Sequence, residues 1–148
     1  MELRELYQAV IIDHNRHPKN HHAMADATHR AEGFNTLCGD QVTLYLKIEH
    51  EKITAVSFEG SGCAIATASA SLLTEQILHK TIIESEMLFQ EFHQLLTDPT
   101  PPTSTALLGK LAVFAGVREF PARVKCATLA WHTLQAALRQ QQQPVSTE

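Results

Sequence analysis

The chain has 148 residues, of which 44% are hydrophobic, with a formal net charge of −4 and three cysteines. This length and apolar fraction suit one domain with a single core. The charge, without any long Lys/Arg run, argues against a surface that collects nucleic acid or anionic lipid and leaves a protein or a metal as the expected partner.

The first residues, MELRELYQAV, mix charges with apolar groups, unlike the basic and then apolar regions of a secretory leader, and no apolar run is long enough to cross a bilayer. A cytoplasmic protein with reduced thiols is expected. Leu3, Leu6, Tyr7, Val10 and Ile11 form the stripe of an amphipathic helix from about Glu2 to His14, which NRHPKNHH breaks at Pro18. The period then changes to two. Val42, Leu44, Leu46 and Ile48 alternate with polar neighbours, and Ile53, Ala55 and Ser57 alternate with Thr54, Val56 and Phe58, across an EHEK turn. A strand over Arg30 to Asn35 precedes them, with TLCGD as the intervening turn.

Small residues then mark a helix from about Cys63 to His79, and another spans Ile83 to Leu96. Three prolines between Thr97 and Thr105 break the helical pattern, and Ser104 is placed to cap a helix through TALLGKLAVFAGV. A last helix follows Pro121, with Val124, Ala127, Leu134 and Leu138 among its apolar positions. The expected fold class is α+β, a small three-stranded antiparallel sheet with helices packed on one face. One domain is expected over residues 1–140, and the tail 141–148, apolar only at Val145, is expected to be disordered.

All three cysteines fall at element ends: Cys38 in a strand-to-strand turn, Cys63 at a strand-to-helix junction, and Cys126 in the first turns of the final helix. Gly39, Gly60 and Gly62 allow tight backbone paths beside them. Helix N-termini favour the thiolate at Cys63 and, more weakly, at Cys126, where Arg123 and Lys125 add positive charge. Asp40 adds a carboxylate across Gly39 from Cys38. Three thiolates and one carboxylate suit tetrahedral Zn²⁺ or a small iron–sulfur cluster, with the harder carboxylate as the exchangeable member. The spacings match no zinc-finger or ribbon pattern, and each cysteine taken alone also reads as a small buried hydrophobe.

LCGDQ, SFEGSGCAIATASASLLTE and VKCATLAWHTLQAAL, with YQAVIIDHNRHPKN before them, closely resemble the SufU branch of the IscU/NifU-like iron–sulfur assembly proteins, from about Leu3 to Leu138. The resemblance implies a compact α+β fold in which Cys38, Asp40, Cys63 and Cys126 converge on a metal at one end of the sheet. The scaffold branch carries histidine where this chain has Lys125, and the stretch from Ile82 to Phe120 is longer here. Both departures point to the SufU type, which looks like a zinc-dependent sulfur acceptor for a SufS-like cysteine desulfurase, with downstream scaffold or acceptor proteins as further partners. The family's usual Pro-Arg-Asn reads HPKN here, with Lys19 in place of a two-pronged arginine.

On this reading Cys38 accepts the persulfide sulfur, because a turn reaches outward while helices hold Cys63 and Cys126, and Arg123 supports the developing negative charge. Three rivals stand beside it. One is a scaffold that builds and passes on a [2Fe–2S] cluster or holds iron; another is a structural zinc module with closed ligands. The third, a cysteine hydrolase using one of the nine histidines, lacks a visible oxyanion motif. His14, at the end of the first helix, is a candidate partner contact, and His79, His93 and His132 read as helix-surface residues.

Overall fold

A computed structural model describes residues 3–99 and 107–147. Helix α1 spans Leu3–Arg16, and its Tyr7, Val10 and Ile11 pack on the core. Strands β1 (His29–Asn35), β2 (Asp40–Glu49) and β3 (Lys52–Ser61) form the expected antiparallel meander. The β2–β3 turn places His50 and Glu51 at φ 51° and 64°, the left-handed pair of a tight hairpin.

The register of β2 against β3 shifts between Lys47 and Ile48, leaving Thr54 as an extra residue whose hydroxyl donates to Lys47 O at 3.1 Å. This bulge reverses the strand's phase. Ile53, Val56 and Phe58 therefore all reach the core, although strict alternation sets Ile53 against the other two.

The sheet is four-stranded and mixed, in the order β3-β2-β1-β4, and not three-stranded and antiparallel. The added strand β4 (Val145–Ser146) runs parallel to β1, pairing Val145 with Gly33 and Ser146 with Phe34. Two residues carry no readable period; what draws them in is the row of backbone groups along the edge of β1. Thr147 N–H donates to Phe34 O at 3.2 Å and its hydroxyl to Lys125 O at 3.1 Å.

Helices α2 (Ala64–Ile77), α3 (Ile82–Thr97) and α4 (Pro121–Leu138) complete the layer. Helix α4 lies on β1 and β2, α2 contacts β3 and α4, and α1 packs on α2. A Cβ built on Gly33 would collide with Thr133 Oγ1 of α4, so only glycine allows this close approach. Ser69 Oγ donates to Ala127 O at 2.6 Å, joining α2 to α4. Thr81 caps α3 through a reciprocal box with Glu84, at 3.0 and 3.1 Å.

The helix expected over Thr105 to Val117 is a 3₁₀ segment, Gly109–Glu119; Ser104 lies outside the described residues. Leu108, Leu111, Phe114 and Val117 are buried at a strict spacing of three. That spacing aligns side chains along a 3₁₀ helix but drifts around an α-helix. Arg118 ends the segment by donating to Leu95 O and Asp98 O, carbonyls at the end of α3. Phe114 meets Phe92 edge-on at 5.7 Å, and Phe92 lies 5.1 Å from Trp131. Among the described residues no helix is long and apolar enough to cross a membrane.

Candidate metal centre

The turn Thr36–Gly39 closes the β1–β2 hairpin, and Gly39 adopts φ 70°, a conformation glycine takes without strain. Cys38 rides on this turn, half-buried, beside a Leu37 that is 75% exposed. Asp40 opens β2 and is only 2% exposed. Its Oδ1 accepts a hydrogen bond from Cys63 N at 2.8 Å, while the buried Oδ2 has no hydrogen-bond partner among the described residues.

Cys63 caps α2 in an extended conformation and uses its backbone, not its thiol, to hold Asp40. A Cβ on Gly62 would sit 2.5 Å from Asp40 Oδ1, so the missing side chain makes room for the carboxylate. Cys126 is fully buried on α4; Asn35 Nδ2 lies 3.7 Å from its sulfur, and Ala122 O lies 3.5 Å away.

The ligand atoms of Cys38, Asp40 and Cys126 lie within 4.8 Å of one another. Cys63 is not in that tight trio, but its side chain is close enough to act on Cys126. Burial pushes the Cys126 thiol well above its ordinary range, and Asp40, Cys38 and Cys63 push the same way. Desolvation there acts against the thiolate that the helix N-terminus and nearby cations favour. Arg123 is exposed, and the charges of Cys63, Cys126 and Cys38 hold its guanidinium above its ordinary range. Lys125 is exposed as well.

This donor set fits a metal ion. A buried carboxylate oxygen without a partner costs free energy unless something positive faces it. A buried thiol whose ionisation burial disfavours, as at Cys126, is deprotonated outright by a coordinating cation.

Asn35 escapes a motif-based reading. Its only sequence signal is a polar side chain on the buried phase of β1, after Ala31 and Gly33. His14 is also placed differently from expectation. It is buried against α2, with Nδ1 2.7 Å from Ser71 Oγ and Nε2 3.6 Å from Glu75 Oε1. His132 is half-buried beside the Phe89 ring, 5.1 Å away.

A family model described as NifU-like N terminal domain matches residues 6–127. The iron–sulfur cluster assembly scaffold protein IscU of Streptococcus pyogenes serotype M1 is 36% identical over 138 residues, spanning 93% of this chain and 86% of that protein. The zinc-dependent sulfurtransferase SufU of Bacillus subtilis is 34% identical over 140 residues, spanning 95% and 94%. The crystal structure of a candidate iron–sulfur cluster assembly scaffold protein for the SUF system, from Fervidobacterium islandicum, has a TM-score of 0.83 at 36% identity, covering 93% of this chain and 99% of that one. Sequence and fold agree over nearly the whole length, and the chain belongs to the NifU-like N-terminal domain family, the group of the IscU and SufU proteins.

Proposed function

We propose that the chain is a sulfur acceptor of iron–sulfur cluster assembly, taking sulfur from the persulfide of a cysteine desulfurase, with Zn²⁺ held by Cys38, Asp40, Cys63 and Cys126. The observation that carries the metal is the buried, unpartnered Asp40 Oδ2 in the tight trio with Cys38 and Cys126. Bound zinc keeps the thiols deprotonated near neutral pH.

Cys38 is the acceptor in this reading. It sits on a turn beside exposed Leu37, whereas Cys126 is fully buried. Its thiolate attacks the terminal sulfur of the donor persulfide. A bond forms between Cys38 Sγ and that sulfur, the donor's S–S bond breaks, and the electron pair leaves on the donor cysteine as a thiolate. Arg123, which feels the charge of all three cysteines, offsets the negative charge of this exchange. Asp40 tunes the hold on the metal and takes no proton. The same reading places the protein in the cytoplasm, with cluster scaffold or acceptor proteins downstream.

A scaffold holding a [2Fe–2S] cluster uses the same donors, and the 36% identical streptococcal relative bears a scaffold name. Lys125, where the scaffold branch carries histidine, favours sulfur transfer. A purely structural zinc module calls for closed ligands, yet Cys38 and Cys63 are only half-buried. The test is the metal content of protein purified from cells, together with its effect on cysteine desulfurase turnover. Near one zinc per chain with stimulated turnover is expected, and both are expected to fall in Asp40→Ala. Iron and sulfide with a visible absorbance and little stimulation would support the scaffold; zinc without stimulation would leave a structural site.

A further inference from the structure

We propose that Asn35 is a positioning residue of the metal centre: its side-chain N–H group donates to Cys126 Sγ, fixing where that sulfur sits and drawing charge off it. The inference rests on the metal reading above.

Asn35 is fully buried and closes the β1–β2 hairpin opposite Asp40. One cross-strand pair thus supplies a carboxylate to the site and an amide donor to the sulfur facing it. The Nδ2 to Sγ separation of 3.7 Å suits a large sulfur acceptor. The rest of the amide makes the choice of residue informative, because Oδ1 is buried without a hydrogen-bond partner among the described residues. Leucine would fill nearly the same volume without stranding that oxygen, so packing alone gives no reason for asparagine.

The chemistry of the sulfur gives one. As a thiol, Cys126 donates weakly to Ala122 O and tolerates either end of the amide beside it. As a metal-bound thiolate it can only accept, so only the NH₂ end is compatible, which is the orientation seen. The two supports are complementary: Cys63 N–H orients Asp40, and Asn35 N–H orients Cys126. Groups of this kind around metal ligands change metal affinity by about 10- to 100-fold when removed.

The test uses the full chain loaded with Co²⁺, whose sulfur-to-metal charge-transfer absorption reports thiolate electron density. Native protein is expected to bind one Co²⁺ per chain. Asn35→Leu is expected to bind it about 10- to 100-fold more weakly, with the charge-transfer band moved to longer wavelength, because losing the N–H donor raises the energy of the sulfur lone pairs. A purely structural role for Asn35 leaves that band in place. Unchanged affinity and an unshifted band in Asn35→Leu overturn the inference while leaving the metal centre intact. No Co²⁺ uptake by the native chain overturns both. Should Asn35→Leu fail to fold, native protein loaded with an NMR-active cadmium isotope decides. Scalar coupling between the Asn35 amide protons and the metal, through Cys126 sulfur, supports the inference, and its absence overturns it.

Discussion

A methyl group on Gly62 would press on Asp40 Oδ1 at 2.5 Å and on its Cα and Cβ at 3.1 Å, in a carboxylate that is almost wholly buried. Gly62→Ala therefore has to displace Asp40 and break its bond from Cys63 N–H. We expect metal affinity to fall by about 10- to 100-fold, as for loss of other groups that orient ligands, measured by competition with a chromophoric chelator. An affinity equal to native would show that Asp40 is not held in place by this contact. At this scale the cysteines, their glycine neighbours and Asp40 were legible, because small residues beside a thiol are a local signal. Asn35 and His14 were not. Each takes its role from a partner far along the chain, Cys126 for one and Ser71 for the other.

Among the elements, the 3₁₀ segment carries much of the aromatic core. Phe114 is fully buried against Phe92, so Phe114→Ala should cost about 3–5 kcal/mol through lost transfer energy and the cavity left behind. Chemical denaturation of the metal-free chain measures it, and a loss below about 1 kcal/mol would mean that the segment contributes little to the core. The meander, α1, α2 and α3 followed from hydrophobic periods and breakers. What periodicity missed lies where the repeat is neither two nor 3.6. The buried row from Leu108 to Val117 repeats at three, Thr54 inserts one residue into a strand, and β4 is too short to have a period.

For the molecule as a whole, acid acts through two imidazoles, the buried ring of His14 and the half-buried ring of His132. Burial is the largest cause holding His14 below its ordinary value of 6.5; Lys110 and Lys19 act with it, while Glu75 and Asp13 oppose it. Burial likewise lowers His132, with His93 adding to the effect. In both cases the unfolded chain takes up the proton first as pH falls. Their contribution to stability is therefore complete above about 6.5 and is lost progressively below it, until the folded state is protonated too. The urea midpoint of the metal-free chain should be flat on the alkaline side of this window and fall on the acid side, and His14→Gln should flatten part of the fall. A midpoint indifferent to pH across the window would contradict the burial of both rings.

The bare backbone at Gly33 reaches further than its own contact. Thr133 rests on it, and Cys126 lies about two turns away along the same helix, so α4 acts as a rigid rod on a fulcrum. The thinness of the sheet at this one point calibrates how far the buried sulfur stands from the hairpin that carries Cys38 and Asp40. The gauge of the centre is thus set at a residue that touches none of its donor atoms.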